Sequence, residues 1–213
     1  MSGRAARVGG AGRPLKRATV FAGFGGQGLL FAGEVLARAA LASGRETIWI
    51  PSYGPEMRGG TAHCTVIVAD GRIGSPVVDE LDAVAVLTPP SLASFEPRLA
   101  PGGTIVVNRS LIEQDVGRDD VRVIDVPCTA AATHAGAERL TAVVALAALA
   151  RDGADTLGVD ADALMQALRD TVSAKHPELL EANEAAFAAG LGAATAASAS
   201  GAPVRAPWAA RAW

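Results

Sequence analysis

Two short segments hold most of the side chains that could do chemistry. Residues 23–28 read GFGGQG and residues 52–60 read SYGPEMRGG. In the first, Gly23, Gly25 and Gly28 have the G-x-G-x-x-G spacing, with Gly26 and Gln27 between them. Glycine at such a turn permits positive φ, and bare backbone lets an anion reach the N–H groups of a helix start. Gln27 adds a polar amide that can meet a ligand or a facing chain. In the second segment Ser52, Tyr53, Glu56, Met57 and Arg58 precede Gly59 and Gly60. Arg58 suits a phosphate or carboxylate. Glu56 can pair with Arg58, clamp a ligand or meet a partner, and the two glycines allow another backbone to come close.

The obvious chemistry for the glycine segment is dinucleotide binding, because a β-rich run precedes it and a helical pattern follows. A nicotinamide or flavin site also needs an acid at the end of the second strand to hold the ribose. Here that strand ends WIPS, Glu46 stands at its other end, and no Arg replaces the acid. The nicotinamide reading is therefore poor. Two readings of the glycines stay open: tight packing of the first helix on the sheet, or reception of another anion or a partner's loop.

Other reactive types are sparse. Cys64 and Cys128 are far apart with no Cys-x-x-Cys, so neither zinc nor an iron–sulfur cluster is expected on this chain. Both read as small buried hydrophobes, and a reducing cytoplasm is the default setting. His63, His134 and His176 are isolated, His63 reading as a hydrogen-bonded core residue. Lys175 and His176 before Pro177 read as a surface helix boundary. Asp79, Glu80 and Asp82 read as a solvated turn. Ser91 lacks a G-x-S-x-G setting and is a helix-start contact, not a nucleophile.

The elements that must position these residues follow from periodicity. Residues 18–21, 47–50, 61–69, 83–87, 104–108 and 121–126 read as strands. Residues 27–43 read as a helix closed by Gly44. Residues 90–99 read as a helix stopped by Pro101, Gly102 and Gly103, and from Thr129 to about Gly190 the chain is helical, broken near Asp152 and at Pro177. Asp70–Gly71 is a hairpin signal. Most strands are continuously apolar, which predicts an α/β fold: a mainly parallel sheet with helices on both faces, an antiparallel addition and C-terminal helices. In such sheets ligands bind beyond the carboxyl ends of the strands, so both segments should lie side by side.

The chain of 213 residues is half hydrophobic, with net charge -3 and pI near 5.6. That balance gives no reason to expect nucleic acid or a membrane as partner. The apolar run at 142–150 is too short to span a bilayer and reads as a buried helix. Aromatics are 4% and Ala is abundant, so packing must be small and close. Residues 1–17, with five basic side chains and no acid, read as a disordered extension, 18–190 as one domain, and 191–213 as an Ala/Ser/Pro-rich tail. Trp208 and Trp213 make that tail a candidate docking element.

The stretches GFGGQGLLFAGEVLARAA, PSYGPEMRGGTAHCTVIVAD, IGSPVVDELDAVAVLTPPSLASF and PGGTIVVNRSL, in this order, resemble the gamma subunit of 2-oxoacid:ferredoxin oxidoreductases. The likeness runs over 18–150, and ELLEANEAAFAAGL resembles the family's final helix. Thr141 stands where many relatives have Asn. The resemblance implies a Rossmann-like fold without a nicotinamide site. It implies a complex that oxidises a 2-oxoacid such as pyruvate or 2-oxoglutarate to acyl-CoA and passes electrons to ferredoxin. This sequence lacks the Gly-Asp-Gly segment for a thiamine-bound Mg²⁺ and lacks cluster cysteines. Thiamine diphosphate, Mg and iron–sulfur clusters are thus expected on alpha and beta partners. For this chain it implies assembly, through docking of alpha with Tyr53, Met57 and Arg58 as anchors, or contact with coenzyme A at the two segments. A free-standing dinucleotide oxidoreductase and a non-enzymatic interaction module are the alternatives.

Overall fold

The computed structural model describes residues 15–53, 61–151 and 154–199. Six strands form one sheet: β1 (Lys16–Phe24), β2 (Glu46–Tyr53), β3 (Thr61–Ala69), β4 (Leu81–Val86), β5 (Leu99–Asn108) and β6 (Arg122–Val126), in the order β2-β3-β1-β4-β5-β6. β1, β4, β5 and β6 run parallel, while β3 is antiparallel to both β1 and β2. The sheet is thus the expected mixed one, with the antiparallel addition at one side.

The helices are α1 (Leu29–Ala42), α2 (Pro89–Phe95), α3 (Cys128–His134), α4 (Thr141–Ala150), α5 (Ala154–Leu157), α6 (Ala161–Lys175) and α7 (Leu180–Ala199). Phe21, Val66, Ala83 and Val106 pack on one face of the sheet, in a core shared with α1, α4, α6 and α7. Val20, Val84, Ile105 and Val107 pack on the other, against Leu92 and Phe95 of α2 and Ile112 of the following loop. No helix among the described residues is long and apolar enough to cross a membrane.

Close packing of small residues is the rule on the helical face. All ten residues of α4 are buried. A Cβ at Gly190 of α7 would come within 2.2 Å of the Val144 carbonyl oxygen and 2.8 Å of Ala147 Cβ. A Cβ at Gly33 of α1 would meet Cys64 Sγ at 2.2 Å and Trp49 Nε1 at 2.7 Å. Glycine and alanine let these backbones approach until dispersion contacts close with no void.

The structure moves several expected boundaries. α1 starts at Leu29, since Gly28 adopts φ 80° and caps it. Asp70–Gly71 makes no hairpin: β3 and β4 flank β1 on opposite sides, so the turn opens a crossover. The Asp70 carboxylate instead accepts from the Leu15 N–H at 3.1 Å and pairs with Arg45. The adjacent antiparallel pair is β2–β3, so the segment between Tyr53 and Thr61 is the connection that spans it. Pro51 is tolerated in β2 because that strand is an edge. Pro101, Gly102 and Gly103 do not stop the chain but form an irregularity inside β5, where the register on β4 shifts between Leu81 and Ala83. α7 continues past residue 190 to Ala199.

Candidate functional site

The carboxyl ends of β1 and β2 lie at the same end of the sheet. Phe24 is opposite Thr61, and Gly23 is opposite Ala62, which is itself opposite Tyr53. The register therefore brings the roots of the two segments into one row. Ser52 is half-buried and sits across from His63. Glu56, Met57, Arg58, Gly59 and Gly60 lie outside the described residues.

The glycine loop divides by function of its parts. A Cβ at Gly23 would meet Gln27 Oε1 at 2.3 Å and Leu87 Cβ at 3.0 Å, and one at Gly28 would meet the Arg139 carbonyl oxygen at 2.3 Å. These two serve close packing. Gly25 and Gly26 have nothing within 4 Å of a built Cβ and face open space. Gly26 at φ 99° and Gly28 at φ 80° hold a conformation that side chains resist. Both readings of the motif thus have residues that fit them.

Gln27 does not present its carboxamide oxygen outward. It is 6% exposed, and its Oε1 accepts from the Phe24 N–H at 2.8 Å. Its own carbonyl accepts from the Ala142 N–H at 3.0 Å. Gln27 braces the loop from inside and staples it to the start of α4. There Thr141 donates its hydroxyl to the Glu138 carbonyl at 2.6 Å, closing a 3₁₀ turn at Glu138–Leu140.

Beside this loop lies a cavity of about 450 Å³. Its wall is formed by Gly25, Gly26, Gly28 and the start of α1, by Ala62, by Arg139 and Leu140, and by the α6–α7 junction around Thr171, Val172, Leu179 and Asn183. Most of the lining is apolar. Thr171 donates to the Ala167 carbonyl at 2.6 Å and Asn183 Nδ2 to the Leu179 carbonyl at 2.8 Å, while Asn183 Oδ1 is buried with no partner among the described residues. Arg139 and His176 are exposed side chains at this wall. The volume is in the range of small-ligand pockets, and the composition favours an apolar group over a naked phosphate.

The remaining candidates fall elsewhere. His63 points to the opposite face, where its ring meets Phe95 edge-on at 5.1 Å and Arg98 lies 5.5 Å over the same Phe95. Burial, then the Arg98 charge, push its pKa below the ordinary value, so the imidazole is neutral at pH 7. It is a half-buried ring contact rather than the hydrogen-bonded core residue expected. Ser91 is buried with its hydroxyl 2.7 Å from that of Thr88. Asp82 is not part of a solvated turn: it is the second residue of β4, accepts from the Ala18 N–H at 2.8 Å, and burial raises its pKa. Cys64 and Cys128 sit on different elements, both buried, the first pushed up to about 11 and the second higher still. No group of three or more His, Cys, Asp or Glu among the described residues could hold a metal. Two cysteines on different elements do not fit an iron–sulfur cluster, which is held by four thiolates.

Two contributors were not read from sequence. Arg139 reaches the cavity through tertiary contact, with no motif to announce it. Asn108 is fully buried, donates to the Leu87 carbonyl at 3.1 Å and Thr129 Oγ1 at 2.9 Å, and accepts from the Ser110 and Thr129 N–H groups. It ties the ends of β4 and β5 to α3. A polar residue closing the apolar run TIVVN was the signal available for it.

The strand order also explains the failed ribose test. In a dinucleotide fold the second strand lies beside the first. Here β3 is inserted between β1 and β2, so the end of β2 is one strand further from the glycine loop.

Comparison with known proteins agrees with this architecture. The family model described as pyruvate ferredoxin/flavodoxin oxidoreductase matches residues 18–193. The ketoisovalerate oxidoreductase subunit VorA of Methanothermobacter thermautotrophicus is 39% identical over 154 residues, covering 72% of this chain and 31% of its own length. The chain thus spans about a third of that relative. The 2-oxoglutarate synthase subunit KorC of the same organism is 32% identical, over 79% of this chain and 90% of its own. The solved gamma subunit of a keto/oxoacid ferredoxin oxidoreductase from Geobacter sulfurreducens is 29% identical, with TM-score 0.72, covering 85% of this chain and 98% of the other. The 2-oxoglutarate:ferredoxin oxidoreductase of Magnetococcus marinus, solved with 2-oxoglutarate, coenzyme A and succinyl-CoA bound, shares the fold at 23% identity and TM-score 0.75, over 85% of this chain and 31% of that one. By the extent of these matches, the chain belongs to the pyruvate ferredoxin/flavodoxin oxidoreductase family.

Proposed function

We propose that the chain is the gamma subunit of a cytoplasmic 2-oxoacid:ferredoxin oxidoreductase, and that its glycine-loop crevice is a docking face for the alpha partner. The complex would oxidise a 2-oxoacid to acyl-CoA and deliver electrons to ferredoxin. Thiamine diphosphate, Mg and the clusters belong to alpha and beta in this reading, since the donors here do not suit them. The observation that carries the docking role is the apolar wall beside Gly25 and Gly26, where a partner's anchor would be desolvated. Ser52, Tyr53, Glu56, Met57 and Arg58 with Gly59 and Gly60 would extend that face.

A second reading keeps a role for coenzyme A. Exposed Arg139 stands by the loop, and the N–H groups at the start of α1 suit a phosphate. The two readings separate in a calorimetric titration of coenzyme A into the purified chain and into Arg58→Ala. Micromolar binding that the substitution weakens about tenfold, roughly 1.4 kcal/mol, supports the ligand role. No binding to the chain alone, with turnover appearing only once alpha and beta are added, supports docking. Full turnover by alpha and beta without this chain would remove both.

A further inference from the structure

The start of α1 is electrostatically unbalanced. It has no side-chain cap and no acid in its first turn, so nothing of the chain answers the positive end of its dipole. The first N–H of the helix to reach an acceptor is that of Ala32, on the Gly28 carbonyl at 3.0 Å. Leu29, Leu30 and Phe31 precede it, and all three line the cavity. Against this end the fold sets a further positive group. The Arg139 backbone packs on Gly28 so closely that a Cβ there has no room. The Arg139 side chain is exposed at the cavity wall and makes no hydrogen bond or ion pair among the described residues. His176, at the same wall, is already engaged by Glu178 at 3.3 Å. No Asp or Glu is among the described residues that line the cavity. Cations stabilise a helix at its other end, so Arg139 here breaks a local rule with no compensation from within the chain. Behind Arg139 the wall is apolar, with Phe24, Leu29, Leu30, Phe31 and Leu179. An inorganic anion would leave that wall wet, and a hydrocarbon would leave the two positive groups unanswered. A carboxylate on a flexible apolar chain meets both, and about 450 Å³ is within the range of sites for small molecules.

We propose that the cavity beside the glycine loop binds a medium-chain alkyl carboxylate, its head between Arg139 and the start of α1 and its chain along the apolar wall. The site is complete in this chain, so it does not rest on the docking of alpha, and its failure would leave that reading standing. The test is calorimetric titration of decanoate into the full chain at pH 7, with octanoate and decyltrimethylammonium alongside. One-to-one binding of decanoate, saturating below about 1 mM, is expected. Two fewer methylenes should weaken octanoate about tenfold. Decyltrimethylammonium has the same chain with the opposite charge and should bind at least about tenfold more weakly than decanoate. Arg139→Gln, at an exposed side chain, keeps the backbone that packs on Gly28. It should weaken decanoate about tenfold and leave decyltrimethylammonium unchanged. No saturable binding of decanoate overturns the proposal. So does equal binding of the two head groups, since Arg139 and α1 would then play no part. Equal binding of octanoate and decanoate removes the apolar wall from the site, and full affinity in Arg139→Gln places the carboxylate elsewhere; either result overturns it too.

Discussion

On one face of the sheet α4 buries every one of its residues, and α7 crosses it so closely that Gly190 has no room for a methyl group. On the other face, strands β4 and β5 are covered by the seven residues of α2 and by the loop from Arg109 to Val121. That loop is held by charge. Arg109 donates to Asp125 at 2.8 Å, Asp115 at 3.1 Å and the Gln114 carbonyl at 2.9 Å. Arg118 pairs with Asp120 at 2.6 Å and donates to the Leu99 carbonyl, while Glu96 accepts from the Gly117 N–H at 2.6 Å. One cover is thus apolar and close-packed, the other a thin lid pinned by polar contacts. The first should resist salt and pH and fail on small changes of volume. The second should do the reverse. The cavity and glycine loop sit at the end of the close-packed cover, so their geometry inherits its rigidity.

The sharpest way to break this comparison is Gly190→Val. The added carbons would drive into the Val144 carbonyl and Ala147, neither of which is a flexible side-chain end. A loss of about 3 kcal/mol or more is expected, enough to unfold a marginal domain. Urea denaturation followed by circular dichroism measures it, and near-parental stability would show that α4 and α7 can part.

The next effect should be smaller and split within four residues. Gly28→Ala meets both a positive φ and the Arg139 carbonyl, so a cost of about 2 kcal/mol is expected. Gly25→Ala has open space around its Cβ and should change stability by less than about 0.5 kcal/mol. If Gly25 serves the crevice, the same substitution should still impair assembly with alpha, measured by co-purification. Equal losses of stability in both variants would show that the loop packs as one unit.

These residues also mark what the sequence could reveal. The run 61–69 was legible as a strand to its ends, and Gly44 as a helix stop, because each rests on a local signal. The sheet class was legible from continuous apolar strands. The insertion of β3 between β1 and β2 was not, because strand order is a long-range choice that no local period records. Gln27 read as an outward polar group for the same reason: its inward turn depends on Phe24 and on Ala142. Asn183 and Arg139 join the site only because α6, α7 and the turn before α4 fold back onto α1.

On the thin face, Arg109→Ala should cost about 1–2 kcal/mol, because several carbonyls and two carboxylates lose one shared donor. Arg109→Lys should recover only part of it, since a point charge cannot serve a fork of acceptors. Part of the loss should shrink as salt screens the exposed Asp115 pair. Parental stability in Arg109→Ala at every salt concentration would mean that the lid is held by Ile112 and Val121 alone.

The smallest effect carries the most information about sign. The hydrogen bond from Arg118 holds Asp120 below the usual carboxylate range. Its stabilising contribution is present above the ordinary pKa and is lost as pH falls through the lower folded value. Burial raises Asp82 instead. There the ionised form is the disfavoured one in the folded chain, so acid relieves a cost as pH falls from the raised value towards the ordinary one. The two carboxylates on the same side of the molecule therefore pull the acid limb of the stability curve in opposite directions. Asp120→Asn should lower stability at neutral pH and flatten the acid limb. Asp82→Asn keeps an oxygen for the Ala18 N–H and should leave the acid limb steeper than in the parent. Urea midpoints measured between pH 3 and 7 compare the slopes. A shift of both variants in the same direction would mean that one of these aspartates does not feel the surroundings described for it.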